Sequence, residues 1–327
     1  MKKTILITGG RGFIGINIIR RLLATSNYSI TVLERSKNTD LYSLVIEKKY
    51  LSRINIVNGD ILRPKTIEKA MRNADIVIHA AANIGTSNPL ASINSMVKTN
   101  VIGTSIMLES VRKYPVEKFI LLSSAGVYAD NKLAVTTDEH HELNPISPYT
   151  ASKLAGDYIA RSLYYSSNVP VIILRPFNVY GPFQRTNQMI PLFITKLIRR
   201  QKITLNHSGS QTRDWVYVDD VANAISLIIK ASSKNVVGKI FNISTGIETS
   251  VSDVARMILK ELLLDDSYLA FSKYSQTEVL RSVGNSTYIQ NTVGWKPAYS
   301  LKNGIKQTVS WYKNHSPEKN YGKTLAQ

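Results

Sequence analysis

The chain of 327 residues contains no cysteine. This absence excludes disulfide bonds and thiolate metal sites, and no other metal site is expected. There is also no apolar run long enough to span a membrane, so we expect no membrane association. The first residues, Met1 to Thr4, lead straight into a β-rich run and lack the apolar segment and cleavage site of a secretion signal. The cytoplasm is therefore the expected compartment.

Acidic residues are scarce relative to basic ones, since 23 Asp and Glu stand against 41 Lys and Arg and give a net charge of +18. Such an excess can indicate nucleic-acid binding. The basic residues are nevertheless scattered, with one modest cluster between Lys196 and Lys202, and no aromatic residues are interleaved with them. We therefore predict no nucleic-acid partner, although the charge would attract nucleotide-linked anions.

The order of apolar patterns predicts an α/β fold. Strands are predicted at Thr4–Thr8, Ser29–Glu34, Ile54–Val57, Asp75–His79, Lys118–Ser123 and Val171–Leu174. Helices are predicted at Phe13–Ala24, Lys65–Arg72, Ile93–Lys113 and Pro148–Ser166, and later at Met189–Arg200, Val251–Leu263 and Leu301–Lys313. The alternation in the first half predicts a Rossmann-type, doubly wound parallel sheet covered by helices on both faces.

The regular alternation of strand and helix patterns ends after Pro176, which predicts a smaller, discontinuous α+β lobe for the substrate. The predicted first domain is 1–177, with 214–244 returning to it. The predicted second lobe is 178–213 together with 245–327.

A glycine loop follows the first predicted strand and opens the first predicted helix, which is the context that a dinucleotide-binding motif requires. Its glycines permit a tight turn and a close approach of the backbone to a pyrophosphate, while the helix N-terminus supplies amide donors. Glu34 ends the second strand, where an acid would bond the adenosine ribose hydroxyls and disfavour a 2′-phosphate. Arg35 and Lys37 argue for NADP, but the acid leads us to predict NAD. Asp60 is either an acceptor for the adenine amino group or a turn residue.

The pair Tyr149 and Lys153 has the spacing that places two side chains on one face of a helix. The same spacing occurs at Tyr114 and Tyr128, where a proline or a polar stretch makes a helix improbable. For Tyr149, Ser147 is a suitable N-cap and Pro148 suits the first helical position. A tyrosine and a lysine downstream of a dinucleotide loop suggest hydride chemistry at a sugar or alcohol carbon.

Taken together, these motifs resemble the extended short-chain dehydrogenase/reductase family, and within it the NAD-dependent nucleotide-sugar epimerases and dehydratases, with most likeness to the UDP-glucose 4-epimerase group. The motifs, in chain order, are Thr8–Gly15 (TGGRGFIG), Gly59–Ile61 (GDI), His79–Ala82 (HAAA), Asn100–Thr104 (NVIGT), Ser123–Tyr128 (SSAGVY), Tyr149 with Lys153, Arg175–Pro182 (RPFNVYGP) and Arg213–Asp220 (RDWVYVDD).

The resemblance implies a role for each matching residue. The implied catalytic residues are Ser124, Tyr149 and Lys153. The implied NAD contacts are Gly9, Gly12, Phe13, Ile14, Gly15, Glu34, Asp60, Ile61, Ala80, Ala81, Ala82, Asn100, Ser123, Tyr149, Lys153 and Pro176. The implied substrate contacts are Ser124, Tyr149, Asn178, Gln188, Arg213 and Arg281, where Arg213 could instead pair with Asp214.

In the family, a phenolate at the position of Tyr149 deprotonates the sugar 4-hydroxyl while C4 gives hydride to NAD. Because free tyrosine has a pKa near 10, we expect a depression of about 3 units, supplied largely by Lys153. The related 4,6-dehydratases carry an Asp-Glu pair directly after the position of Ser124, whereas this chain has Ala125 and Gly126. Elimination by that route is not expected.

The resemblance therefore implies a nucleotide-sugar 4-epimerase of the UDP-glucose/UDP-galactose type. The alternatives are an NAD(P)-dependent C4 reductase or dehydrogenase and a non-catalytic NAD-binding regulatory protein. A homodimer through the helices 93–113 and 148–166 is also implied. The sequence departs from the family at two segments that contact the nucleotide. The family's Arg-x-Gly-Asp segment is replaced by Ser275–Glu278, and Lys273 or Arg281 could substitute for the missing arginine. The family's aromatic-Gly-Asp-Gly segment is replaced by Asn206–Gly209.

Overall fold

Seven strands form one parallel sheet in the computed structural model, which describes residues 2–36, 40–85, 89–129, 136–272 and 279–315. The strand order is β10-β6-β5-β4-β1-β2-β3, so the chain starts in the sheet and winds outward in both directions. The strands are β1 (Thr4–Thr8), β2 (Ser29–Glu34), β3 (Ile54–Asn58), β4 (Ile76–His79), β5 (Lys118–Leu122), β6 (Val171–Pro176) and β10 (Ile240–Ile243). The predicted doubly wound α/β fold is confirmed.

Helices cover both faces of this sheet. They are α1 (Phe13–Thr25), α2 (Asp40–Val45), α3 (Pro64–Met71), α4 (Pro89–Met96), α5 (Thr104–Lys113), α6 (Pro148–Ser167), α8 (Val218–Lys230), α9 (Ser233–Val236) and α11 (Thr287–Val293). The apolar sides of α1 and α8 pack on one face, and those of α3, α5 and α6 pack on the other. Because the central strands are buried on both faces, they are continuous apolar runs, as the sequence pattern required.

The predicted single helix from Ile93 to Lys113 is wrong at its centre. A π-helical turn, Val97–Gly103, separates α4 from α5. In this turn the Thr104 hydroxyl donates to the carbonyl oxygen of Asn100 at 2.7 Å, and the Asn100 side chain bonds other parts of the chain. Long-range hydrogen bonds therefore fix a local geometry that the helical period could not show, and π turns of this kind are frequent at functional sites.

A smaller lobe follows β6 and has its own apolar cluster. Its elements are β7 (Asn178–Tyr180), α7 (Met189–Ile198), β8 (Ile203–Asn206), β9 (Thr212–Tyr217), β11 (Glu248–Ser250), α10 (Val251–Leu262), β12 (Leu269–Ser272), β13 (Arg281–Ser282) and α12 (Leu301–Asn314). Strand β9 lies between β11 and β13 and also pairs with β7, while β8 pairs with β12. The start of the predicted returning segment 214–244 therefore belongs to the smaller sheet, whereas α8 and β10 lie on the large one. The exact division into two lobes stays a prediction.

Asp214 connects the smaller sheet to two neighbouring loops. Its fully buried carboxylate accepts hydrogen bonds from the amide and hydroxyl of Thr245, from the amide of Gly246 and from the amide of Gly284, at 2.7–3.2 Å. Because a buried carboxylate is costly unless its oxygens are bonded, these donors hold the three segments together. The edge of the smaller sheet that carries the predicted substrate residues is thereby fixed.

Among the helices of the described residues, none is long and apolar enough to cross a membrane.

Candidate active site

The glycine loop lies between β1 and α1, with its backbone against the strand that follows. Gly9 has φ +72°, and a Cβ atom at this position would lie 2.7 Å from the backbone of Ala80 and of Ala81. The Gly12 amide donates to the Gly9 carbonyl at 2.9 Å and closes the turn, and a Cβ on Gly15 would overlap that same carbonyl oxygen. Gly12 is exposed at the N-terminus of α1. The loop thus leaves the first-turn amides of Phe13 and Ile14 open to an anion such as a pyrophosphate.

Glu34 ends β2 and is 7% exposed. The Tyr42 hydroxyl donates to its Oε2 at 2.7 Å, and the Arg11 guanidinium lies 3.9 Å from its Oε1. Burial raises the pKa of Glu34, against the opposite effect of Tyr42 and Arg11. The Oε1 atom accepts no hydrogen bond from the described residues, so it can accept one from a ribose hydroxyl. Arg35 is exposed, and Lys37 lies outside the described residues.

The predicted adenine side of the site lies at the carboxyl ends of β3 and β4. Asp60 accepts a hydrogen bond from the Leu62 amide at 2.9 Å, so one carboxylate oxygen is used in a local turn. Ile61 is buried against Gly103. The alanines from Ala80 to Ala82 follow β4 directly and face the glycine loop. The turn interpretation of Asp60 is thereby seen in the structure, and its contact with adenine stays a prediction.

Asn100 was predicted to contact the cofactor, but its side chain bonds the protein on every side. Its Oδ1 accepts from the Asn83 amide at 2.7 Å, and its Nδ2 donates to the Asn83 carbonyl and to the Ser152 hydroxyl, both at 2.8 Å. The Ser152 hydroxyl in turn donates to the carbonyl of Tyr149 at 2.7 Å. Asn100 therefore fixes the first turn of α6 against the loop after β4, and its contact with NAD stays a prediction.

The helix expected to carry the tyrosine and the lysine is α6. The Ser147 hydroxyl accepts from the Thr150 amide at 3.2 Å, and the Thr150 hydroxyl accepts from the Ser147 amide at 3.1 Å, which completes a capping box. Tyr149 and Lys153 follow on one face of this helix. Tyr114 and Tyr128 share the same spacing to a lysine, but Tyr114 ends α5 and Tyr128 follows a 3₁₀ turn, so neither begins a helix.

The protein environment shifts both groups toward their neutral forms. Burial raises the pKa of Tyr149 to about 12 and lowers the pKa of Lys153 to about 8. The expected depression of the tyrosine pKa is therefore absent in the protein alone, because desolvation penalises the phenolate. A base at this position needs additional positive charge from a bound ligand, and a lysine that stays protonated.

Ser124 caps a 3₁₀ turn, Ala125–Val127, at the end of β5. Its hydroxyl oxygen accepts from the Gly126 amide at 3.1 Å, and the hydroxyl proton stays available for a ligand. A Cβ on Gly126 would lie 2.5 Å from Cγ2 of Thr150, whose position the capping box fixes. A side chain at residue 126 would therefore require Thr150 to move. Ser123 and Pro176 lie at the carboxyl ends of β5 and β6, and the buried Ser123 hydroxyl interacts with the carboxyl group of Asp157.

The predicted substrate residues lie on the smaller lobe, where β9 brings three of them together. Asn178 on β7 donates to the Asp214 carbonyl at 3.4 Å, and Arg213 on β9 donates to the Thr212 carbonyl at 2.8 Å. Arg281 on β13 is held by Glu248 through contacts of 2.8–3.0 Å. The sheet registers place Asn178, Arg213 and Arg281 on neighbouring strands.

Gln188 is the N-cap residue of α7, on the same lobe but outside its sheet. The segment Ser275–Glu278 and Lys273 lie outside the described residues, so their part in holding a nucleotide stays a prediction. His207 lies in a 3₁₀ turn after β8, is half-buried and has φ +48°.

Two buried ionic residues next to the site were not predicted. Asp157 lies on α6 four residues after Lys153, and Arg175 lies on β6. The spacing of four was visible in the sequence and places Asp157 one helical turn from the lysine. Arg175 was noticed only as part of a motif, since an arginine in an apolar run gives no sign of its partner. Among the described residues, no cluster of side chains has the composition of a metal site.

Comparisons with known proteins agree with this geometry. A family model described as the NAD dependent epimerase/dehydratase family matches residues 5–244. A putative UDP-glucose 4-epimerase of Methanocaldococcus jannaschii is 33% identical, covering 95% of this chain and 99% of that protein. A dTDP-D-glucose 4,6-dehydratase of Dictyostelium discoideum is 30% identical, covering 95% and 82%. The crystal structure of a dTDP-glucose 4,6-dehydratase of Streptomyces venezuelae with NAD bound superimposes with a TM-score of 0.87 at 28% identity, covering 96% and 98%.

Proposed function

The chain belongs to the NAD-dependent epimerase/dehydratase family, and on that premise we propose that it is a nucleotide-sugar 4-epimerase of the UDP-glucose/UDP-galactose type. The predicted family and the predicted cofactor NAD are confirmed by this membership. Overall similarity does not separate the two reactions, since the epimerase relative and the dehydratase relative are 33% and 30% identical. The choice of reaction rests on the residues beside Ser124.

The observation that carries the proposal is the closed space at Gly126. A 4,6-dehydratase needs an acid and a base there to remove the C6 hydroxyl and the C5 proton, and neither Ala125 nor Gly126 titrates. The Thr150 methyl group lies where a Cβ atom at residue 126 would be placed, and turning Thr150 away would disturb the hydrogen bonds that cap α6. This arrangement leaves chemistry at C4 as the reaction that the site supports.

The residues present fit NAD: the glycine loop would hold the pyrophosphate, and Oε1 of Glu34, which is buried and accepts no hydrogen bond from the described residues, would accept one from the ribose. When bound, NAD would supply the acceptor and donor of hydride for sugar C4. Tyr149 takes the proton of the 4-hydroxyl, and the Ser124 hydroxyl, anchored by Gly126, holds that hydroxyl group and passes the proton. On return of the hydride, Tyr149 gives the proton back to the new 4-hydroxyl.

The smaller lobe would hold the nucleotide part of the substrate. Arg213 and Arg281 present guanidinium groups suited to phosphate oxygens, and Asn178 lies on the strand beside Arg213. In the protein alone, the Arg281 guanidinium is paired with the Glu248 carboxylate. A bound diphosphate would therefore have to share that guanidinium with Glu248. The net charge of +18 favours the approach of such a dianion.

We also propose a homodimer through α5 and α6, because large apolar side chains are exposed on α6 and on the π turn before α5. Tyr158 and Tyr165 on α6 are 53% and 70% exposed, and Ile102 on the π turn is 44% exposed. A second copy would cover them. Sedimentation of the purified protein would check this, and a monomer at micromolar concentration would contradict it.

A second candidate function is an NADP-dependent C4 reductase. A cavity of about 280 Å³ at the ends of β2 and β3 is lined by Arg35, Arg63 and Asp60, among others. Two arginines there would suit a 2′-phosphate. The buried carboxylate of Glu34 argues against it, as does the NAD dependence of the family.

The test is to incubate the purified protein with UDP-glucose, UDP-N-acetylglucosamine and dTDP-glucose separately, without added cofactor, and to separate the products by chromatography. We expect a C4 epimer of one substrate with no net change in nicotinamide. The substitution Tyr149→Phe should lower the rate by about 10²–10⁴-fold. Its matched control is Tyr288→Phe, an exposed tyrosine on α11 outside the proposed dimer interface, which should leave the rate unchanged.

Other products would contradict the proposal in distinct ways. Turnover only with stoichiometric NADPH or NAD would identify a reductase or dehydrogenase. A 4-keto-6-deoxy sugar would identify a dehydratase. Failure to turn over any nucleotide sugar, with NAD bound, would support the regulatory alternative.

A further inference from the structure

The buried ion pair of Asp157 and Arg175 lies directly beside the catalytic helix face. Each side chain is 1% exposed, and both Nε and Nη2 of Arg175 lie 3.0 Å from Oδ2 of Asp157. On the other side, the Arg175 guanidinium lies 4.9 Å from the centre of the Tyr128 ring, whose hydroxyl donates to Asn242 at 2.8 Å. Arg175 is therefore fixed on two sides. Burial raises the pKa of Asp157, and the charge of Arg175 acts in the opposite direction, toward the carboxylate.

Two hydroxyl groups also contact the pair: that of Ser123 interacts with Asp157, and that of Tyr128 interacts with Arg175. Replacing a buried ion pair by apolar residues is often neutral or stabilising, because desolvation of the two charges costs more than their attraction returns. The pair is therefore weak evidence for a role in stability, which directs attention to what else the carboxylate acts on.

Lys153 is the group that the carboxylate acts on. It precedes Asp157 by one helical turn, a spacing that places the two Cβ atoms about 5–6 Å apart. Lys153 is 5% exposed and makes no hydrogen bond to the described residues. Of the other titratable groups near it, His79 on β4 and Tyr149 on α6 are neutral, and Arg175 on β6 is positive.

His79 offers the lysine no negative charge. Its ring is fully buried between the hydroxyls of Thr8 and Thr104, at 2.8 and 3.0 Å, and burial lowers its pKa to about 3. Asp157 is therefore the one anion that faces Lys153 within the described part of the chain.

We propose that Asp157, held by Arg175, is a positioning residue that keeps Lys153 protonated inside the closed site. The inference deepens the proposed function, since a protonated lysine is what lets Tyr149 act as the base. Burial lowers the pKa of Lys153 to about 8, while the Asp157 carboxylate raises it. Without Asp157 the pKa of Lys153 would therefore be lower still, and the lysine would lose its proton at a lower pH.

The test is a direct titration of Lys153 by NMR, in protein with ¹³C-labelled lysine and with Lys153→Met to assign the signal. We expect the midpoint to fall by about 1 unit or more in Asp157→Asn and to stay near its original value in Asp157→Glu. Because Asp157→Asn leaves Arg175 unpaired and can unfold the protein, the double variant Asp157→Leu with Arg175→Met is measured too. It fills the space with apolar atoms and should lower the midpoint by less than Asp157→Asn, because it also removes the positive charge of Arg175.

Lys118 supplies the matched control within each sample. It is a second buried lysine, whose ammonium donates to the carbonyls of Ile228, Ile229 and Ala231 at the end of α8. Its titration should be the same in every variant. An unchanged Lys153 midpoint in folded Asp157→Asn, or in the double variant where Asp157→Asn does not fold, would overturn the proposal and leave the ion pair a structural role only.

The titration needs no substrate, so its result does not depend on which reaction the protein catalyses. Where an activity is found, the alkaline limb of kcat should move to lower pH in the double variant, with KM little changed. If Lys153 responds to Asp157 but no epimer forms, the proposed function fails and the electrostatic inference stands. If an epimer forms and Lys153 does not respond, the reverse holds.

Discussion

Among the loops that hold a left-handed backbone, the one after β1 and the one after β8 use different residues to do so. The loop after β1 has glycine at its left-handed position, Gly9, and its backbone lies against the backbone that follows β4. The loop after β8 has φ +48° at His207 and +55° at Ser208, and only the third left-handed residue, Gly209, is a glycine. Non-glycine residues in this region cost about 1–2 kcal/mol each.

The difference shows what each loop is required to do. At Gly9 there is no space for a Cβ atom, so the close approach of two backbones demands glycine whatever the conformational cost. At His207 the loop requires only the left-handed backbone conformation, and a side chain is accommodated there at the cost of backbone strain. Strain of this kind is often kept where a side chain has a function, which makes the second loop a place to look for nucleotide contacts.

The largest effect that would test this comparison is expected for Gly9→Ala. The added methyl group meets the Ala80 backbone at 2.7 Å in addition to the left-handed strain, so we expect a loss of about 3–5 kcal/mol in the free energy of unfolding and loss of NAD binding. The measurement is urea denaturation together with NAD titration.

The matched control for Gly9 is Gly294→Ala, which has φ +70° but no atom within 4 Å of the added Cβ. It should cost only the strain, about 1–2 kcal/mol. Equal losses at the two positions would show that crowding against Ala80 contributes nothing, and the comparison between the loops would fail.

A second effect concerns His79, which joins the glycine-loop strand to α5 through Thr8 and Thr104. Its folded pKa is lowered to about 3 from an ordinary value near 6.5, so the unfolded chain binds the extra proton between these values. Stability contributed by His79 is therefore complete above pH 6.5 and falls as the pH drops toward 3. Between pH 7 and pH 5 the loss is about 2 kcal/mol.

The check is the free energy of unfolding at pH 7 and pH 5 for the wild type and for His79→Gln, whose amide can still meet a threonine hydroxyl. The fall between the two pH values should be about 2 kcal/mol smaller in the variant. His140→Gln, an exposed histidine, controls for loss of an imidazole. A fall of the same size in His79→Gln and the wild type would mean that His79 is not neutral in the folded protein.

The smallest effect, and the one of opposite sign, is expected for His207→Gly. Relief of a left-handed side chain should stabilise the protein by about 0.5–1 kcal/mol after the added entropy of the unfolded chain is subtracted. Asn206→Gly, one residue earlier at φ −73°, has no strain to relieve and should destabilise by a similar amount. Thermal denaturation distinguishes the two, and a destabilised His207→Gly would indicate that the imidazole makes a contact worth more than the strain.

Much of the large sheet was predictable, because its strands carry a signal that local sequence contains. The first two strands were predicted with their observed bounds, and β4 and β5 differ by one residue at one end. Buried parallel strands are continuous apolar runs, and glycine, proline or serine marks where they stop. The start of α6 was predicted as well, since Ser147 and Pro148 define a cap through residues adjacent in the chain.

The sequence by itself therefore determined the fold class, the glycine loop and the helix that carries Tyr149 and Lys153, since each depends on residues close together in the chain. Only the tertiary structure decided the π turn at Asn100, the pairing of Asp157 with Arg175 and the lack of space at Gly126. These features depend on atoms from segments between 17 and 52 residues apart. Contacts of this kind arise when distant segments pack, and local propensity contains no record of them.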